Sequence, residues 1–172
     1  MRIAILGNSG SGKSTLARWL ADQRGVPLLD LDTVAWEPGQ IAVPRPVEAA
    51  ASDVRQFCSS HSDWVVEGCY AHLVTVSLEF TPRLIFLNPG EEQCRANCLA
   101  RPWEPHKYPS RQVQDEHLEY LLSWVSEYYH RSGDMSLAAH RVCYQDYAGD
   151  KEEITHTLQL DPPSPEVLGW LR

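Results

Sequence analysis

Gly7-Asn8-Ser9-Gly10-Ser11-Gly12-Lys13-Ser14 is the stretch on which the reading of this chain turns. It satisfies the pattern G-x-x-x-x-G-K-[ST]. It also stands between a short β-branched and apolar run, Arg2 to Leu6, and a segment, Lys13 to Arg24, whose Leu16, Ala17, Leu20 and Ala21 recur at helical spacing. Strand, glycine loop and helix in that order are the setting of a Walker A phosphate loop. Glycines let the backbone wrap with its N–H groups turned inward, and the start of the following helix adds the positive end of its dipole. The stretch therefore predicts an ATP cradle of Gly7, Asn8, Ser9, Gly10, Ser11, Gly12, Lys13, Ser14 and Thr15. Within it, Lys13 is expected to bridge the β- and γ-phosphates and the Ser14 hydroxyl to bind Mg²⁺.

Outward from the loop, Gly25 and Pro27 stop the first helix, and Pro27 to Leu31 reads as a second strand. Pro38, Gly39, Pro44 and Pro46 break up the next stretch into loop. Val47, Ala50, Ala51, Val54, Phe57 and Cys58 then form one helix face. Trp64 to Val66, closing on Glu67-Gly68, is a third strand; Tyr70 to Phe80 is helical; Arg83 to Leu87 is a fourth strand, apolar as a strand covered on both faces should be. Pro89, Glu91 and Glu92 open a helix that runs to about Ala100. Arg101 to Arg111 carries several prolines and reads as a long loop, a candidate lid over residues 101–112. Leu118, Leu121, Leu122, Val125 and Tyr129 mark a long amphipathic helix, and a further helix reaches about Ala148. Ile154 to Leu160 reads as a fifth strand, and a short helix carries Val167, Leu168 and Leu171. Alternation of this kind predicts a three-layer α/β fold, a five-stranded parallel sheet with helices on both faces, as a single domain over residues 1–172. In such a sheet ligands bind beyond the carboxyl ends of the strands, where Gly7 to Ser14, Asp30 to Trp36, Glu67 to Tyr70 and Asn88 to Pro89 should converge.

Composition agrees. The 172 residues are 43% apolar and 22% charged, a globular mixture, and a chain of this length removes about 70% of its accessible surface on folding. No apolar run approaches the roughly 20 residues of a membrane helix, and the run Ile3 to Leu6 is cut short by Gly7, so a cytoplasmic protein without membrane contact is expected. A net charge of −8 argues against direct nucleic-acid binding, whose affinity comes mainly from neutralising phosphates. Cys58, Cys69, Cys94, Cys98 and Cys143 contain no C-x-x-C pair and are expected to be buried or idle thiols; Cys94 and Cys98 share a helix face.

Among phosphate-loop proteins, a GTPase would need an N-K-x-D guanine reader, and neither the stretch around Lys107 nor that around Lys151 supplies one. Motor and helicase ATPases couple hydrolysis through machinery for which the chain has little room. Small-molecule and nucleotide kinases remain. The Walker loop, Asp30-Leu31-Asp32 closing strand two, Glu67-Gly68 closing strand three and the arginine-bearing lid resemble adenylate kinase and shikimate kinase relatives. Leu31-Asp32-Thr33-Val34-Ala35-Trp36-Glu37-Pro38, Trp64-Val65-Val66-Glu67-Gly68-Cys69-Tyr70 and Leu84-Ile85-Phe86-Leu87-Asn88 resemble, more narrowly, the adenylate-kinase-like topology modulation proteins.

The resemblance implies roles. Glu67 falls where adenylate kinases place an acid near the Mg²⁺ water shell, and Asn88 replaces an acid that many relatives carry after strand four. Asp30 and Asp32 match a shikimate-kinase pair, one near Mg²⁺ and one on the acceptor hydroxyl; two apart on an extended strand end, they should face the same way. Asp32 is the candidate for aiming or deprotonating that hydroxyl. Trp36 and Tyr70 read either as an aromatic wall for a substrate or as core, and Arg45 and Arg55 either as holders of an acceptor phosphate or as a solvated face. Arg101, Lys107 and Arg111 bracket the candidate lid as cations for the moving phosphoryl group, and Lys13, Lys107 and Lys151 are the only lysines of the chain. His106 and His117 have no ligand spacing around them and read as lid or surface residues.

The expected function is an ATP-dependent kinase acting on a small molecule or nucleotide, with catalytic Lys13, Asp32, Arg101 and Arg111 and with Mg²⁺ held through Ser14, Asp30 and Glu67. The alternative is a nucleotide-binding switch that transfers phosphate only to water.

Overall fold

Ile3, Ala4, Ile5 and Leu6 are all buried because β1 (Arg2–Gly7) is the middle strand of the sheet. Strand alternation sends Ile3 and Ile5 into one hydrophobic cluster and Ala4 and Leu6 into the other. A strand covered on both faces is continuously apolar for this reason. The computed structural model describes residues 1–38, 43–103 and 109–171. Along them the chain forms β1, α1 (Lys13–Arg24), β2 (Leu28–Asp30), α2 (Asp32–Ala35), α3 (Val47–Ser60), β3 (Trp64–Gly68), α4 (Ala71–Leu78) and β4 (Arg83–Leu87). It continues through α5 (Glu91–Leu99), α6 (Arg111–Glu116), α7 (Leu118–Glu127), α8 (Leu137–Asp146), β5 (Lys151–Ile154) and α9 (Pro165–Gly169).

The sheet order is β2-β3-β1-β4-β5, parallel at every pairing. On one face, α1 buries Leu16, Ala17, Leu20 and Ala21, and α9 adds Val167. On the other lie α3, α4 and α8, with Val54, Leu73, Val74 and Cys143 among the packed residues. This is a three-layer α/β fold. A third, smaller cluster joins α5 to α7 through Cys94, Cys98 and Val125, and it supports the loop after β1 from behind. All five cysteines are free thiols. Among the described residues no helix is long and apolar enough to cross a membrane.

Register brings the strand ends together. Ile5 pairs with Glu67, Glu67 with Asp30, and Gly7 with Leu87, so the β1 loop, the β3 acid and the β2 acid leave the sheet at one edge.

Three elements differ from the sequence reading. β5 spans Lys151–Ile154, earlier than the expected Ile154 to Leu160. It is an edge strand pairing only with β4, so charged residues are tolerated there, while Leu158 and Leu160 pack on the core from irregular chain and mimic a strand pattern. The short helix α2 follows β2 where loop was expected: Leu31 is helical at φ −64, ψ −20, so Asp30 and Asp32 do not lie on one extended strand. The helix expected around Leu118 to Tyr129 is α7, ending at Glu127 and separated from the additional α6 at His117.

Candidate active site

The loop after β1 has the shape that its glycines were expected to permit. A Cβ on Gly7 would stand 2.5 Å from the Leu87 carbonyl oxygen, and one on Gly10, at φ +78, would stand 2.3 Å from the Cys94 oxygen and 2.8 Å from Cys98 Sγ. Only glycine fits against that backing. Gly12, at φ +96, turns the chain into α1, whose first turn has no side-chain cap. The unpaired N–H groups and the dipole of α1 thus open onto the loop. Asn8 is buried and acts as an internal brace: its Nδ2 donates to Val125 O at 2.9 Å and its Oδ1 accepts from Ser9 N at 2.8 Å. Asn97 donates to Gly10 O at 2.8 Å. Lys13 Nζ folds back to Asn8 O at 2.9 Å, and Ser11 Oγ is buried with no hydrogen-bond partner. A polar group left so within a ring of glycines is suited to a ligand oxygen.

The Ser14 hydroxyl donates to Glu67 Oε1 at 2.6 Å, joining the loop to the end of β3. Burial pushes the Glu67 carboxyl above its usual range; Lys13 pulls it down and Asp30 and Asp32 push it up. Ser14 and Glu67 thus share one hydrogen bond, with Asp30 and Asp32 near enough for their charges to act on the Glu67 carboxyl. Asp30 Oδ1 accepts from Asp32 N at 2.9 Å, so one of its oxygens holds the first turn of α2. Asp32 is exposed, and its Oδ1 accepts from the Tyr70 hydroxyl at 2.7 Å. Trp36 Nε1 donates to that same hydroxyl at 2.7 Å, with the two rings edge to face. Burial first, and the Asp32 charge after it, push the Tyr70 phenol well above its ordinary value. Tyr70 is buried and Trp36 half-buried, both packed against the core of that face.

A cavity of about 390 Å³ runs from Gly10 to Leu16 along the loop to His156, Thr157 and Leu158 after β5, and Arg101 and Pro102 close its side. Arg101 thus lines the cavity beside the loop. Arg111 does not line this cavity: it opens α6, 63% exposed, with Nε 3.6 Å from Asp115 on the same helix. Lys107 and His106 lie outside the described residues. Arg45 precedes α3 and pairs with Asp53 at 2.6 Å, and Arg55 grips both oxygens of Glu79 at 3.0 Å each. Asn88 donates to Glu153 Oε1, binding β4 to the sheet edge. Among the described residues no group of three or more His, Cys, Asp and Glu side chains is arranged to hold a metal.

Several supporting residues escaped the sequence reading. His140 is fully buried; Tyr128 donates to its Nδ1 at 2.8 Å and its Nε2 donates to Cys69 O at 2.8 Å, which holds the segment between Glu67 and Tyr70. Asn97 and Val125 reach the loop from α5 and α7. Each contact joins residues far apart in sequence, and no local pattern announces it.

No protein-family model matches the chain. A stretch of 95 residues, 54% of this chain, is 33% identical to the dephospho-CoA kinase of Synechococcus sp. (strain CC9605) and spans 39% of that protein's length. The fold is similar to a gluconokinase from Sinorhizobium meliloti 1021, with a TM-score of 0.58 and 17% identity over 99% of this chain and 90% of that one. It is also similar to a sugar kinase from Janibacter sp. HTCC2649, with a TM-score of 0.52 and 17% identity over 99% and 93% of the two chains. At such identities the likeness is one of fold. A glycine loop leading from the central strand of a five-stranded parallel sheet with helices on both faces is a P-loop α/β fold, one that the chain shares with these solved structures.

Proposed function

We propose that the chain is an ATP-dependent kinase that moves the γ-phosphoryl group of ATP to a hydroxyl of a small acceptor. The observation that carries this reading is the 2.6 Å contact of Ser14 with Glu67, because it joins the phosphate loop to an acid at the end of the neighbouring strand. On this reading the loop amides from Gly7 to Thr15 cradle the phosphates, and Lys13 leaves Asn8 O to neutralise the β- and γ-oxygens. The far end of the cavity, at His156, Thr157 and Leu158, takes the base, with Arg101 beside it.

The donors fit Mg²⁺, a hard cation that takes one or two protein oxygens and completes its shell with water and phosphate. Ser14 and Glu67 would hold it, with Asp30 behind them, and it would supply charge neutralisation on the phosphate oxygens. Asp32 aims the acceptor hydroxyl and accepts its proton as the new O–P bond forms, the bond to the bridging β,γ-oxygen breaks and ADP leaves. Of the candidate lid 101–112, residues 104–108 lie outside the described residues; on this reading Arg111, at the start of α6, contributes only when the lid closes. Within the P-loop kinases, the stretches around Asp32, Glu67 and Leu84 ally the chain with the topology modulation proteins. It works in the cytoplasm, where ATP and Mg²⁺ are supplied.

The test is twofold. Mg-ATP should raise the melting temperature by mass action, and a panel of hydroxyl compounds should include one that stimulates ADP release. Lys13→Ala should weaken ATP by about 10- to 100-fold, the worth of a charge-assisted hydrogen bond, without altering the fold. Binding of ATP with release that no acceptor stimulates would instead support a nucleotide switch.

A further inference from the structure

Among the described residues, the side chains joined to Asp32 have spent their hydrogen-bond donors. The indole N–H of Trp36 is spent on the Tyr70 oxygen, and the Tyr70 hydroxyl gives its single proton to Asp32 Oδ1. A hydroxyl carries one donor and an indole one donor, so this chain of contacts leaves neither residue a proton to offer a ligand. Of the three, Asp32 is exposed and Trp36 half-buried. Asp30 lies close by as well, since its charge and that of Asp32 both act on the Glu67 carboxyl.

Among the described residues, Arg45, Arg55 and Arg131 each have donors engaged elsewhere. Arg45 Nη1 is bound to Asp53 Oδ2 at 2.6 Å and to Val34 O at 3.0 Å. Arg55 is fixed on Glu79 through Nε and Nη2. Arg131 donates through Nε to Met135 O at 2.7 Å and through Nη1 to Trp124 O at 2.9 Å, its guanidinium stacked 3.5 Å above the Trp124 ring. A phosphate or carboxylate on the acceptor would need donors in fork geometry. Here it would meet carboxylates.

We propose that the acceptor is an uncharged polyhydroxylated molecule, a sugar or polyol. Its hydroxyls donate to Asp32, and its C–H face lies on the ring of Trp36. Nucleoside monophosphates are refused by the acidic floor, since like charges brought together without donors repel. This inference rests on the kinase reading above. The reaction balances as before: the acceptor O–H proton passes to Asp32, the acceptor oxygen bonds Pγ, and the Pγ–O bond to ADP breaks.

The experiment uses the whole chain with Mg-ATP and follows ADP release against two sets of probes. One set holds D-glucose, D-ribose, glycerol, D-mannitol and myo-inositol; the other holds AMP, CMP, GMP and UMP. At least one uncharged probe should stimulate release, and no monophosphate should. Stimulation by a monophosphate overturns the acceptor class and leaves the kinase reading standing; stimulation by neither set, with Mg-ATP bound, overturns both. With the active probe, Trp36→Ala should raise its KM about tenfold and leave the KM for ATP unchanged, while Trp36→Phe, which keeps an aromatic face, should restore most of the loss. An unchanged KM for the uncharged probe in Trp36→Ala, in a protein that still binds ATP, would also overturn the proposal.

Discussion

Ser14 and Glu67 stand 53 positions apart in the chain and share a 2.6 Å hydrogen bond. The parallel pairing of β1 with β3 makes this possible, because Ile5 lies opposite Glu67 and the loop begins just beyond. A serine from the glycine loop and a buried acid thus become one unit. Glu67→Gln keeps the size of the side chain and removes its charge. If the unit holds Mg²⁺, the gain in ATP affinity that Mg²⁺ gives over EDTA should shrink by about 10- to 100-fold, the usual cost of disturbing a metal's supporting shell. Titration calorimetry with and without Mg²⁺ reads this, and an undiminished Mg²⁺ effect would remove Glu67 from the metal site.

Gly10 has two reasons to be glycine: φ +78, and a Cβ position 2.3 Å from a carbonyl oxygen of α5. Gly12 has only the first, at φ +96 with open space around it. Gly10→Ala should therefore destabilise the protein by more than the ~1–2 kcal/mol of left-handed strain, and Gly12→Ala by about that amount. Denaturant unfolding of the two variants should show this order. Equal losses would mean that α5 yields to the added methyl.

How far the sequence carries is visible in these residues. The loop pattern, Gly25 at φ +61 and the apolar spacing bound α1 in full, and the runs at Trp64 and Leu84 mark β3 and β4, because each signal is local and repeated. β5 is harder, since an edge strand can carry Lys151, Glu152 and Glu153 while the apolar residues that follow it are not in the sheet. α2, of 4 residues, is too short to show a period. The placement of Lys13 and Ser14 at the start of α1 and of Glu67 near the end of β3 was legible from the motif and the resemblance. The engagement of Arg45 by Asp53 and the support of Cys69 by His140 were not, as each depends on which distant segments the fold brings together.

His140 is held neutral. Burial drives its imidazole down from 6.5 to about 4, outweighing the upward pull of its bond to Cys69. Because the unfolded chain takes up a proton there at higher pH than the folded one, stability should be complete above pH 6.5 and fall as pH drops towards 4. A shift of this size corresponds to roughly 3 kcal/mol. Unfolding free energies at pH 7 and pH 5 should differ less in His140→Gln than in the wild type. The same pH dependence in both would place its origin in other groups.

Arg101 and Arg111 should part company. Arg101 lines the loop cavity, and Arg101→Ala should raise the KM for ATP. Arg111 lies outside it on α6, so Arg111→Ala should leave that KM alone and lower kcat if the lid closes over the reacting phosphate. Steady-state kinetics on both variants separates binding from closure, and an ATP KM raised equally by both would contradict the assignment.

Asp32→Asn bears most directly on phosphoryl transfer to an acceptor. The amide keeps a hydrogen-bond acceptor for Tyr70 but loses the charge that takes the hydroxyl proton. Acceptor-stimulated ADP release and Mg-ATP affinity should be measured on the same preparation. A kinase using Asp32 loses about 100-fold or more of the stimulated rate, within the range of general-base catalysis, and keeps its Mg-ATP affinity. Full stimulated transfer in Asp32→Asn would contradict the account.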